Sequence, residues 1–238
     1  ALAVMAGAYT LARGPLRLAP SEAGVHALAS TFGNAVFLGL PIALSVEGWA
    51  RPFVILMLVE GIVIIGVGAA LIDRRGGEGG FAARAGAFVI RPLRNPLVVA
   101  AVAGFAFASL GGDLPEPVRR MTDILGRAAG GTALFSLGLF FATRPLPKFG
   151  EVGGAVAAIA FLKMGVLPIL TLASLHLVGV TDAAHVGAAA LFTATPVAVG
   201  TFVMANQYKA YERQAAAAIA ATTALALLTI SAVLVVFA

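Results

Sequence analysis

Apolar stretches recur along this chain, each about the length that crosses a bilayer, and short segments between them hold nearly all the charge. A spanning helix needs roughly 20 mainly apolar residues. On that rule the chain holds seven spans and a stub. The stub is Ala1–Ala12, and Arg13–Ser21 is a turn with Ser21 as a candidate helix cap. Spans are expected at Glu22–Glu47, Pro52–Ile72, Pro92–Leu110, Asp123–Thr143, Val152–Val178, Ala183–Gln207 and from about Ala215 to Ala238. Asp73–Ile90 is the longest polar connection, and Gly111–Thr122 leads into a short amphipathic start. Trp49, in the tight turn after Glu47, suits an interfacial anchor.

Two of these spans carry the same interruption. Phe37–Ser45 reads FLGLPIALS and Phe192–Gly200 reads FTATPVAVG, 155 positions apart. Each places a proline, Pro41 or Pro196, inside an apolar segment, where it removes a backbone donor and breaks or kinks the helix. Moving the later spans back by that offset lays 183–207 on 28–52, overlapping the first broken span, the last span on 60–83, roughly the 52–72 span, and 152–178 where the stub lies. The two spans 92–110 and 123–143 fall before residue 1. A unit of five spans is odd, so its second copy enters the membrane inverted. The expected fold is all-α and polytopic, an inverted repeat of five plus five with two crossed broken helices. Its first two helices are missing from this chain, which is expected to be the larger part of a longer protein and not to transport alone. Residues 1–73 are then the remainder of the first repeat, 74–90 a cytoplasmic loop and 91–238 the complete second repeat.

Composition supports a membrane protein: 60% of residues are hydrophobic and 11% charged, against about 45–50% and about 25% in soluble domains. With no cysteine there is no disulfide framework or thiolate site. The net charge of +5 does not indicate nucleic acid, because the basic residues lie in loops. If loops alternate sides, eleven of the sixteen Lys and Arg fall on one side and four on the other, with Lys163 inside a span. The positive-inside rule makes the richer side cytoplasmic, in a plasma (inner) membrane, with the C-terminus outside. Ala1–Ala12 lacks the basic start of a signal peptide.

Several segments resemble the auxin efflux carrier family of permeases: Ser30–Gly48 (STFGNAVFLGLPIALSVEG), Asn95–Gly111 (NPLVVAAVAGFAFASLG), Leu114–Ala142, Lys163–Leu170 (KMGVLPIL) and Thr195–Tyr208 (TPVAVGTFVMANQY). The similarity is most specific at GN-x-x-FLG-x-P and at the NPL opening of the span after the long loop. The resemblance implies ten helices in two inverted halves, related to the bile acid/sodium symporters. A static panel would pack against a unit carrying the crossed broken helices. It also implies transport of compounds such as auxin, malonate or malate, and leaves homodimerisation open. The family often has Asn four residues after the second proline, where this chain has Gly200.

A half-helix that starts after a break has free N–H groups and a positive dipole end. Two such ends facing one another make an anion site. Candidate substrate-binding residues are therefore Gly33, Asn34, Gly39 and Pro41 at the first break and Thr193, Thr195, Pro196 and Gly200 at the second, with Thr201 nearby. Asn34 can donate to a carboxylate or satisfy a freed carbonyl, and the threonines can repair broken backbone. Lys163 and Glu60 lie eleven and eight residues into their spans, near mid-bilayer. Ionisable groups at that depth are costly and mark a site or a pair. Lys163 is a candidate to hold a carboxylate. Glu60 is the coupling candidate, since burial disfavours its charged form.

His26, His176 and His185 show no metal spacing, Asp123 and Arg127 form an i,i+4 helix pair, and Gly126, Gly130, Gly131 and Gly138 suit close helix packing. The expected function is secondary transport of small organic anions, carboxylates above all, by alternating access in the lipid bilayer. Coupling to H+ or Na+ stays open, and no cofactor or metal is expected. A membrane ligand sensor using the same site is the alternative. No catalytic constellation suggests an enzyme.

Overall fold

The computed structural model describes residues 1–72, 99–100, 103–104, 106–107, 110–143 and 149–238. The long polar connection, most of the expected span 92–110 and the loop 144–148 lie outside the described residues. What is described is helical, apart from one isolated backbone bridge.

Helix α1 (Leu2–Arg13) leads to α2 (Pro20–Ala29). Pro20 opens α2 in the first turn, where a missing N–H leaves nothing unpaired. The Glu22 carboxylate accepts the Ala19 N–H at 2.9 Å, completing the start. The chain then unwinds, and a wide π-helical turn (Ala35–Gly39) runs into α3 (Leu40–Ser45). Helix α4 (Ala50–Ile72) follows. Helix α5 (Glu116–Thr143) is continuous from Glu116, so the expected amphipathic start and span are one element. Helix α6 (Phe149–Ala160), a second wide turn (Phe161–Val166) and α7 (Leu167–Leu177) make one long rod. Helices α8 (Ala183–Ala194) and α9 (Val199–Gln207) are the halves of the second broken helix, and α10 is Glu212–Phe237. Among the described residues, three helices are long and apolar enough to cross a membrane: Ala50–Ile72, Val152–Leu177 and Glu212–Phe237.

Prolines explain the wide turns. Pro41 and Pro168 each lie one or two residues beyond one. A proline ring clashes with the carbonyl four residues back, and widening the preceding turn relieves the clash without ending the helix. The first helix is accordingly not broken at Pro41, as its motif suggested. It breaks eight residues earlier, around Gly33, and Pro41 rides within the second half, exposed.

Packing forms two cores, one on each side of the breaks. The first joins α2, before the first break, to α9, after the second, through residues such as Leu28, Val199 and Phe202. The other joins the half beyond the first break to α8 through Ala35, Ala43, Leu191 and Phe192, with Phe53 edge-on to Phe192 at 5.3 Å. The halves thus pair crosswise, as two rods crossing at their midpoints must. Trp49 belongs to this second core and is buried in the protein. It fits because position 187 is glycine, where a Cβ would strike the indole. His26 is also buried, within hydrogen-bond reach of the Tyr211 hydroxyl at 3.3 Å. That contact fastens α2 to the start of α10.

Candidate functional site

At the crossing, two stretches of extended backbone lie side by side and antiparallel. Gly33 is bridged to Val197. The Asn34 N–H donates to the Pro196 carbonyl at 2.8 Å, and the Ala198 N–H donates to the Phe32 carbonyl at 3.0 Å. Two unwound helices therefore satisfy part of each other's freed backbone, which hydrocarbon would leave without partners.

Other freed donors and carbonyls are met by side chains, most of them from neighbouring spans. The Gly33 N–H donates to Glu60 Oε1 of α4 at 3.4 Å, and the Val197 N–H donates to Thr222 Oγ1 of α10 at 3.1 Å. These arrangements are twins: each bridged residue turns its N–H to the span that follows its own broken helix. At the end of α8, the Phe192, Thr193 and Ala194 carbonyls accept from Thr195 Oγ1 (2.7 Å), Lys163 Nζ (2.8 Å) and Thr229 Oγ1 (3.2 Å). Lys163 reaches this point from the wide turn before Pro168. It is fully buried, and Glu60 is 7% exposed, so neither charge is solvated by bulk water. The two lie within electrostatic reach of each other across Gly33.

Space at Gly33 is fixed on that account. A Cβ there would collide with the Thr195 hydroxyl and approach Lys163 Nζ to 3.3 Å. Gly39, further along the first helix, leaves room for the Phe53 ring and the Thr195 methyl. Gly200 faces Phe32, which a Cβ would meet at 3.1 Å.

Beside the bridge is a cavity of about 320 Å³. The starts of both half-helices line it: Asn34–Phe37 from the first and Ala198–Gly200 from the second. Leading N–H groups of a helix lack intrahelical partners and carry the positive end of its dipole. Glu60 lines the same cavity, and Phe32, Met57, Leu58, Ile62 and Ile65 make the rest of it apolar. Asn34 is half-buried, and its side-chain amide has no partner among the described residues.

Of the sequence-predicted residues, Gly33, Asn34, Pro196, Gly200, Lys163 and Glu60 meet at or beside the crossing. Thr195 packs against Gly33, while its hydroxyl hydrogen goes to its own helix. Thr193 does likewise, donating to Ala189 at 2.9 Å, and enters the site through its carbonyl. Thr201 is buried with its hydroxyl unpartnered among the described residues. Gly39 contributes through packing, and Pro41 stands apart from the cavity lining.

Thr222 and Thr229 were not anticipated. Their signal was two hydroxyls seven residues apart, on one face of a mostly apolar span that also carries Thr223 and Ser231. Replacing Thr222 with valine is expected to strand the buried Val197 N–H and to cost about 1–3 kcal/mol. Thermal unfolding in detergent measures this, and an unchanged midpoint would remove Thr222 from the crossing's support.

Broken helices crossing at a cavity in a multi-pass apolar chain are the architecture of a membrane transport protein. The model of the family described as membrane transport protein, the auxin efflux carrier family, matches residues 1–234, and this chain belongs to that family. It is similar, at 31% identity over 218 residues, to a Rhizobium meliloti (strain 1021) protein named "Putative malonate transporter", covering 90% of this chain and 67% of that one. It is also 24% identical over 200 residues to the Escherichia coli (strain K12) "Uncharacterized transporter YfdV", covering 83% of this chain and 58% of that one. The chain thus spans about two thirds of the first relative and less of the second. Both are named transporters, and this chain is a membrane transporter, not an enzyme.

Proposed function

We propose that this transporter moves small carboxylates, held where the two half-helices begin beside the Gly33–Val197 bridge. The observation that carries this reading is the shared cavity: two positive helix starts, and Asn34 with an amide unpartnered among the described residues, line one small, mostly apolar space. A carboxylate there would accept N–H bonds from fixed donors in a low-dielectric setting, with the buried Lys163 charge close behind Gly33. The name of the Rhizobium protein agrees with a carboxylate.

The antiparallel bridge supports oppositely directed broken helices and so an inverted five-plus-five repeat. In this reading the crossed unit shifts against a panel to expose the site alternately, in an inner membrane, with the C-terminus outside.

Uptake of labelled malonate, malate and indole-3-acetate into proteoliposomes tests the proposal. Saturable uptake of at least one is expected, and Asn34→Ala is expected to reduce it at least tenfold by removing a donor from the cavity. Undiminished kinetics in Asn34→Ala would exclude the crossing as the substrate site.

A further inference from the structure

The twin positions at the crossing do the same structural work with different chemistry. Val197 and Gly33 each need one acceptor for a buried N–H. At Val197 a neutral hydroxyl, Thr222, is enough, and it is anchored in turn to the Ala218 carbonyl at 2.7 Å. At Gly33 the acceptor is a carboxylate. An ionisable group in membrane depth is costly, and its twin shows that the fold does not require one. Among the described residues, Glu60 is moreover the one acidic residue lining the cavity into which an anion would enter.

Its position relative to that anion is specific. The carboxylate holds an N–H of the crossing, a donor of the kind an anion would use. Among the described side chains, the ionisable group acting on it is Lys163, across Gly33. With an anion in the cavity, two negative charges would share a low-dielectric space facing one ammonium from the membrane-buried helices. Like charges so placed cannot both persist without large cost.

We propose that Glu60 is a tethered occupant of the anion site and takes up one proton as a carboxylate binds. This rests on the site proposed above. The proton comes from water and forms an O–H bond at a Glu60 carboxyl oxygen. The neutral acid keeps a weaker acceptor for the Gly33 N–H and gains an O–H donor, and Lys163 is left as countercharge to the bound anion. Transport built on this exchange carries a proton with the anion.

Calorimetric titration of the purified protein with malonate, in two buffers of different ionisation enthalpy, reads the proton directly. About one proton taken up per malonate bound is expected, with affinity rising about tenfold for each pH unit lowered above the Glu60 titration. Glu60→Gln keeps an acceptor for Gly33 and removes the charge. It is expected to bind malonate at least as tightly, without proton uptake. Binding by the unmodified protein with no proton uptake overturns the proposal and leaves the anion site standing. Equal uptake in Glu60→Gln overturns it too, since the proton then rides on the ligand. No binding of malonate, acetate or benzoate by either protein removes the anion site and this proposal together.

Discussion

Lys163→Met is expected to abolish saturable uptake and to lower stability by about 3 kcal/mol or more. Removing one member of a buried charged pair strands the other, which typically costs about 3–5 kcal/mol. Here the ammonium also meets a carbonyl that the broken helix has left free, the Thr193 oxygen at 2.8 Å. Methionine fills similar volume but leaves that oxygen unpartnered and Glu60 without its nearest countercharge. The double variant Lys163→Met/Glu60→Gln separates the two losses. It is expected to recover much of the unfolding midpoint, because no buried charge remains stranded, while uptake stays lost. Thermal unfolding in detergent and proteoliposome uptake of the three variants make the comparison. A Lys163→Met protein that unfolds like wild type and still transports would mean that the ammonium neither supports the crossing nor serves the substrate.

Gly33→Ala is expected to be nearly as damaging, although it adds a single methyl group. The added Cβ would overlap the Thr195 hydroxyl. That hydroxyl is pinned to the Phe192 carbonyl at 2.7 Å, so relief on that side breaks a hydrogen bond. Relief on the other side pulls apart the bonds at 2.8 and 3.0 Å that join the two breaks. Overpacking of this kind costs about 1–3 kcal/mol, and here it falls on the backbone that shapes the cavity. Uptake reduced at least tenfold is expected, with a modest fall in unfolding midpoint. Thr195→Ala, which vacates the space, is expected to restore part of the uptake of Gly33→Ala. Rescue absent in that double variant, with the single variant still inactive, would place the damage elsewhere.

Periodicity and length carried the sequence reading far, and their limits are physical. Apolar runs near Ala50–Ile72, Val152–Leu177 and Glu212–Phe237 were legible because lipid demands long uninterrupted apolar helices. Membrane depth pointed to Glu60 and Lys163, since little but function or pairing keeps a charge there. The proline motif misplaced the first break because a wide turn can absorb a proline, and a proline alone does not tell a wide turn from a break. The unwinding at Gly33 depends on tertiary partners: the Pro196 carbonyl, the Ala198 N–H, Glu60 and the space beside Thr195. Trp49 read as interfacial because it adjoins a turn, and only its fit against Gly187 explains its burial. Thr222 and Thr229 were visible as polar positions, but their partners lie in another broken helix.

The wide turn before Pro168 has a mechanical meaning as well. Helix widening rotates every later residue relative to an unbroken rod, so it sets the azimuth at which Lys163 leaves its own helix. The ammonium's aim at the Thr193 carbonyl is thus tied to a proline five residues further on. Tightening that turn would swing a positive charge off its mark without altering any residue that touches the cavity. The carrier's electrostatics are in this sense geared to a backbone defect that does not line the cavity.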